Sequence, residues 1–142
     1  MNSEELLSIV GELKNQGNMR FFDPATKEQI DSFEKNNEIS LPEKYKEWLL
    51  FSDGGEFFLP GGVQIYGVAH KPLLNINRDD RPNDSYIVIG ALASGDPLLC
   101  EKEGEQISIY NHGAGRIEDD EIYPDFFAFL KDLYDLLGMG EE

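Results

Sequence analysis

The sequence has little cysteine, histidine or positive charge. Cys100 is the single cysteine, so no disulfide can form within the chain. It lies in the apolar run Pro97–Cys100, which favours a small buried side chain over a reactive thiol. The two histidines, His70 and His112, belong to no zinc-binding spacing and to no nucleophile motif. We therefore predict a protein that is not an enzyme, with no catalytic residues, no cofactor and no metal.

Basic residues are outnumbered by acidic ones. Twelve Lys and Arg stand against 28 Asp and Glu, which gives a formal net charge of −16. Such a chain is repelled by nucleic-acid phosphates and by anionic membranes, so we predict that it binds neither directly. The excess is concentrated after residue 95, where 13 acidic residues face three basic ones. This charge can steer the chain toward a basic partner, or it can simply maintain solubility.

Long apolar runs are also missing. No stretch approaches the roughly 18 apolar residues that a membrane-spanning helix needs. Glu4 and Glu5 stand where a secretory signal would carry positive charge. We therefore expect a cytoplasmic protein.

Acidic residues form two clusters, around Asp79–Asp84 and Glu118–Asp125. Neither has the alternating oxygens, central glycine and terminal glutamate of an EF-hand loop, so a solvated charged loop is favoured over a calcium site. A catalytic carboxylate pair cannot be picked out among 28 acidic residues. Calcium binding and a carboxylate-dependent hydrolase thus stay open as less favoured alternatives.

The pattern predicts three helices in the first half of the chain. The first runs over Ser3–Gln16, where Leu6, Leu7, Val10 and Leu13 form an apolar stripe. A capping box of Thr26 and Gln29 begins the second, which continues to about Asn36.

The third predicted helix lies within Ile39–Gly55. Ser40 and Glu43 have the spacing of a capping box, and Asp53-Gly54-Gly55 marks the end. Tyr45, Trp48 and Leu49 share one face and are predicted to lie in the core. The helix is therefore predicted to place aromatic side chains in the core before the chain changes to extended structure.

Short extended runs separated by turn residues follow, and they predict a sheet. The predicted strands are Glu56–Leu59, Val63–Val68, Tyr86–Leu92, Leu98–Lys102 and Gln106–Asn111. Tight turns make Tyr86–Asn111 an antiparallel meander. Glu118–Glu121 is predicted to be an acidic tip, and a final helix covers Pro124–Leu137. The fold class is α+β, a single domain over residues 1–142 with a central, mainly antiparallel sheet and helices packed around it.

One element resembles a known family. Leu41-Pro42, Tyr45, Trp48-Leu49 and Asp53-Gly54-Gly55 are spaced as in the SUKH superfamily, which includes bacterial immunity proteins and fungal cell-wall regulators of the Smi/Knr type. The resemblance covers about residues 26–137, which it makes the core, whereas residues 1–20 form a helical extension. It implies an α+β domain that acts by binding proteins.

For the bacterial branch, the resemblance implies an immunity protein that neutralises a cognate toxin by direct contact. Many such toxins are nucleases, whose phosphate-binding grooves are basic, so we expect a basic toxin domain as the partner. The candidate contact residues are acidic or aromatic: Asp79, Asp80, Asp84, Tyr110, Glu118, Asp119, Asp120, Glu121 and Tyr123. The alternative is a cytoplasmic scaffold or regulatory interaction module. The sequence leaves the oligomeric state open.

Overall fold

The computed structural model describes residues 4–58, 62–69, 73–74, 81–102 and 104–136, except for the side chains of 118–120. Its helices in these ranges are α1 (Glu4–Gln16), α2 (Lys27–Asn37), α3 (Glu43–Phe51) and α4 (Phe126–Leu136). Its strands are β1 (Gly55–Phe57), β2 (Val63–Ile65), β3 (Tyr86–Leu92), β4 (Pro97–Glu101), β5 (Ile107–Asn111) and β6 (Arg116–Tyr123). Three helices, then a sheet, then a helix confirm the α+β prediction.

The six strands form one antiparallel sheet in the order β1-β2-β3-β4-β5-β6, so neighbours along the chain are also neighbours in space. The predicted meander over Tyr86–Asn111 is confirmed by the pairing of β3 with β4 and of β4 with β5. The outer edge of β1 is covered by Arg20, whose backbone N–H and C=O both bond with Glu56. The opposite edge of the sheet is β6, which the sequence pattern did not predict.

Helix α2 begins with the capping box that the sequence predicts. The Thr26 hydroxyl accepts from the backbone N–H of Gln29 at 3.1 Å, and the Gln29 side chain accepts from the N–H of Thr26 at 2.9 Å. These bonds satisfy N–H groups that have no partner within the helix. The helix ends at Glu38, which adopts a left-handed conformation.

The predicted capping box of Ser40 and Glu43 is wrong. Pro42 is the residue before α3, and it makes no side-chain capping bond. The carboxylate of Glu105 caps the helix instead, accepting from the N–H of Glu43 at 2.7 Å and of Lys44 at 3.2 Å. A negative charge at a helix N-terminus also complements the helix dipole. The cap therefore fastens α3 to the turn between β4 and β5.

The core is built around Trp48, which is fully buried. Its ring lies 5.3 Å from that of Phe57, 5.7 Å from Phe21 and 6.2 Å from Phe126, measured between centroids. These partners come from β1, the connection before α2, and α4. The predicted burial of Tyr45, Trp48 and Leu49 is confirmed.

Helix α1 adds its apolar stripe to the same core. Leu6, Val10 and Leu13 of the predicted stripe are buried, and the helix packs against α4. The prediction is wrong for Leu7, which is 52% exposed, whereas Ile9, which was not predicted, is buried. The carboxylate of Glu5 binds Lys131 of α4 at 2.8 Å and Lys44 of α3 at 3.5 Å.

The sheet has one side that faces α4, here called the helix side, and an outer side. Cys100, Ile107 and Tyr123 are paired across β4, β5 and β6, so their side chains share one side of the sheet. The ring of Tyr123 contacts that of Phe129 at 5.6 Å, which identifies this as the helix side. Leu99, Ser108 and Ile122 are paired in the same way and therefore lie on the outer side.

Candidate functional site

The residues at the centre of the family resemblance hold the fold together. The Tyr45 hydroxyl donates to the carbonyl of Tyr66 at 2.6 Å, and the Trp48 indole N–H donates to the carbonyl of Gly54 at 2.9 Å. Both side chains are fully buried, so each needs a hydrogen-bond partner for its polar atom. These bonds tie α3 to the chain that enters and leaves β1 and β2. The residues therefore have no surface to offer a partner.

Asp53 is a buried carboxylate with a structural role that the sequence pattern did not indicate. Its two oxygens accept from the backbone N–H groups of Val68 and Ala69 at 2.7 and 2.8 Å. Gly67 approaches so closely that a Cβ there would lie 2.6 Å from the Asp53 carboxylate. A buried charge is tolerated when such donors satisfy it, so Asp53 fixes the chain after β2.

Cys100 and His112 occupy structural positions. Cys100 is fully buried, and burial raises the pKa of its thiol, which keeps it protonated and unreactive. His112 follows β5, and both its backbone N–H and its Nδ1 contact Asp96 Oδ1, which closes the end of the β4–β5 pair. His70 lies outside the described residues.

Asp84 lies in a shallow groove with two other carboxylates. The groove has a volume of about 450 Å³ and is lined by Glu38, Asp84, Ser85, Glu101 and Lys102. Asp84 is also held by Arg81, whose Nη2 lies 3.0 Å from Asp84 Oδ1. The structure thus brings Asp84 close to acidic residues that the sequence analysis had not singled out. The two other candidates from this cluster, Asp79 and Asp80, lie outside the described residues.

The acidic run Glu118–Glu121 is part of a strand, so its prediction as a tip is wrong. It lies in β6, at the edge of the sheet, and Ile117 and Ile122 flank it. Four consecutive acidic residues look like a loop because they lack the alternating apolar residues of a half-buried strand. At the outer edge of a sheet, however, charged residues are common, since they discourage pairing with other chains.

The backbone of this acidic run forms a wide bulge. Ile122 is paired with Ser108 of β5, and Ile117 is paired with Tyr110. One β5 residue therefore lies between the two pairs, against the four residues Glu118–Glu121 of β6. Bulges of this kind bend an edge strand and redirect its side chains. We call Glu118–Glu121 the acidic bulge.

Tyr123 was expected to be a surface anchor, and this placement is wrong. Only 8% of the residue is exposed, and its hydroxyl donates to Asp132 Oδ2 of α4 at 2.8 Å. The cause is its register, because Tyr123 is paired with Ile107 and so points to the helix side. Tyr123 joins β6 to α4 and offers little surface to a partner.

Tyr110 lies on the outer side of the sheet and is half-buried. Beside it are Ile117, also half-buried, and Ile122, which is 39% exposed. Neither isoleucine was predicted to be a surface residue, because a position beside a polar run does not indicate which side of a sheet it faces. Tyr110, Ile117 and Ile122 form what we call the outer apolar patch.

Two kinds of feature are absent from the described residues. No helix in the ranges that the structure covers is long and apolar enough to cross a membrane. Nor do these ranges contain a group of three or more His, Cys, Asp or Glu side chains placed to hold a metal ion. The features that stand out from the fold are therefore the acidic bulge, the outer apolar patch and the groove beside Asp84.

Comparison with known proteins gives a family. The family model described as "SMI1 / KNR4 family (SUKH-1)" matches residues 24–132, which include α2 to β6 and most of α4. A crystal structure of a protein from Pseudomonas syringae pv. tomato is similar in fold, with a TM-score of 0.63 and 14% sequence identity over 89% of this chain and 96% of that one. No curated protein matches the chain. Because the matched segment is most of the sequence, the chain belongs to the SMI1/KNR4 (SUKH-1) family.

Proposed function

We propose that this chain is an immunity protein that neutralises a basic toxin domain by binding it directly. The observation that carries the proposal is the acidic bulge: four consecutive acidic residues in an edge strand, in a chain with a net charge of −16. In this proposal the protein catalyses no reaction. It acts by occupying the surface that the toxin needs for its own substrate.

The charge of the chain favours a basic partner. An enzyme that acts on nucleic acid needs Lys and Arg where it holds phosphates. An acidic protein competes for that surface, and opposite charges raise the rate of association by about 10- to 1,000-fold at low ionic strength. The resemblance to the SUKH superfamily implies an immunity protein, and the negative charge of this chain favours a toxin that targets nucleic acid.

The position of the bulge supports a binding role. Buried contacts that hold the fold come from α3, Asp53 and the helix side of the sheet. The acidic bulge lies at the edge of the sheet, away from these contacts. A change of charge in this edge segment is therefore expected to leave the contacts of the core in place.

The first experiment is co-expression of this chain with the C-terminal toxin domain of the secreted protein encoded beside it. We expect cell survival to be restored and the two proteins to purify together. Toxicity that this chain fails to relieve would overturn the proposal, as would survival without a complex. Binding to several unrelated cellular proteins would instead favour a scaffold or regulatory module.

A charge-matched pair of double variants tests whether rescue of cell survival depends on the acidic bulge. Asp119→Lys with Asp120→Lys changes the formal charge by four units, and Glu12→Lys with Glu28→Lys makes the same change on α1 and α2. Only the bulge variant is expected to lose rescue. Equal loss in both variants would mean that net charge, rather than the bulge, governs binding.

A further inference from the structure

We propose that the outer apolar patch, Tyr110, Ile117 and Ile122, is the centre of the contact with the toxin, and that the acidic bulge is its rim. This inference rests on the proposed function. The occupant is a basic protein surface on which Lys and Arg surround an exposed apolar side chain. The charges then govern the association rate, and the patch governs the dissociation rate.

The register of β6 creates the patch. Ile117 and Ile122 are five residues apart in the sequence, yet their partners Tyr110 and Ser108 are only two residues apart on β5. Two residues of a strand span about 7 Å, so the bulge brings the two isoleucines to neighbouring positions. Without the bulge, the isoleucines would lie more than twice as far apart along the edge. The same backbone feature therefore brings the two isoleucines together and contains the acidic run between them.

The exposure of these side chains fits a binding centre. Ile122 is one of three large apolar residues, with Leu7 and Leu73, that are more than a third exposed in the part of the chain that is described. Tyr110 keeps a half-buried ring beside it. Tyrosine is favoured at the centre of interfaces because its ring gives apolar contact while its hydroxyl can remain hydrogen-bonded. Ser108, the small residue between them, is buried, which leaves the larger side chains around it to form the contact.

Charge complementarity selects the partner. The acidic bulge lies between the two isoleucines in the sequence, and Glu101 is half-buried on the same outer side of the sheet. An acidic rim around an apolar centre disfavours another acidic surface and favours a basic one. Interfaces commonly combine an apolar centre with a polar rim, and the centre provides most of the affinity.

The test measures association and dissociation rates of the toxin domain with three variants. Ile122→Ser and Tyr110→Ala each change the patch, and Leu7→Ser is the control, because Leu7 is 52% exposed and lies on α1. We expect both patch variants to dissociate at least about tenfold faster with an association rate within about twofold of wild type. The control is expected to leave both rates unchanged. Since Tyr110 also packs against the core, Ile122→Ser provides the decisive result if Tyr110→Ala unfolds.

The outcomes separate this inference from the proposed function. If wild type binds the toxin and Ile122→Ser dissociates at the wild-type rate, the patch is not the centre of the contact, although immunity stands. If wild type does not bind the toxin, the proposed function fails and the inference falls with it. A patch variant that slows association and leaves dissociation unchanged would also contradict the assignment of roles.

Discussion

Helix α3 contributes to the core of the molecule, whereas strand β6 lies at the edge of the sheet. Around α3, the hydroxyl of Tyr45, the indole of Trp48 and the carboxylate of Asp53 all bond to backbone groups inside the molecule. In β6, four successive residues are acidic and bulge from the edge of the sheet. The polar groups of the first region form hydrogen bonds that hold the fold together. In the proposed function, the second region supplies charge for a partner, so the residues that mark the family and the residues that bind need not be the same.

The largest expected difference between the two regions is in stability. Trp48→Ala should lower the free energy of unfolding by about 3–5 kcal/mol, because it removes a buried ring that contacts Phe57 and Phe126. Urea unfolding followed by circular dichroism measures the loss. Ile122→Ala on β6 is the matched control, with a loss below about 1 kcal/mol expected since the side chain is 39% exposed. Similar losses at the two positions would show that the exposed side chain on β6 stabilises the fold as much as the buried one on α3.

A smaller effect is expected at Asp53. Asp53→Ala leaves the N–H groups of Val68 and Ala69 without their acceptor, which should cost about 1–3 kcal/mol. Asp84→Ala removes an exposed carboxylate that pairs with Arg81, and its cost should be below about 1 kcal/mol. Urea unfolding of both variants compares a buried carboxylate with an exposed one. If the two losses were equal, Asp53 would not be the anchor described here.

Tyr123→Phe tests whether this residue of β6 stabilises the fold or contacts the partner. The change removes only the hydroxyl that donates to Asp132, so it should cost about 0.5–1.5 kcal/mol of stability. Because the ring faces the helix side, the dissociation rate of the toxin should not change. Faster dissociation with unchanged stability would show that Tyr123 contacts the toxin and would contradict its structural role.

The smallest effect is a pH dependence of stability at Glu5 of α1, which binds Lys44 of α3. The hydrogen bond from Lys131, with further attraction from Lys131 and Lys44, lowers the pKa of Glu5 from its ordinary value of 4.5. A lowered carboxyl pKa contributes stability above the ordinary value, and that contribution is lost as the pH falls through the lowered one. Wild type should therefore exceed Glu5→Gln in unfolding free energy at neutral pH, and the difference should vanish in acid. A difference that persisted in acid well below the lowered pKa would show that charge at Glu5 is not its origin.

Local patterns in the sequence predicted much of the fold. The bounds of β3 are those predicted, since apolar and β-branched residues fill it between turn signals. The capping box of α2 was also readable, because both of its residues lie within one turn. The cap of α3 was not, because its acceptor Glu105 is 62 residues from Glu43 along the chain. No spacing rule links residues that only the folded sheet brings together.

The candidate site was less predictable than the core for the same reason. The acidic character of Glu118–Glu121 was evident, but its place in an edge strand depends on pairing with β5. That pairing turns Tyr123 inward and Tyr110 outward, although the two residues look alike in the sequence. It also brings Ile117 and Ile122 together, which no local signal indicated. Charge could be predicted, whereas the side of the sheet that each residue faces required the register.

In the proposed function, the β6 edge binds a basic toxin while the rest of the molecule holds the fold. The most direct test measures toxin affinity for folded Asp119→Lys/Asp120→Lys and for the charge-matched Glu12→Lys/Glu28→Lys, at low and high salt. We expect the bulge variant to bind at least about tenfold more weakly at low salt, with a smaller difference at high salt, and the control to bind far closer to wild type. A bulge variant that is folded and binds with wild-type affinity would contradict the claim.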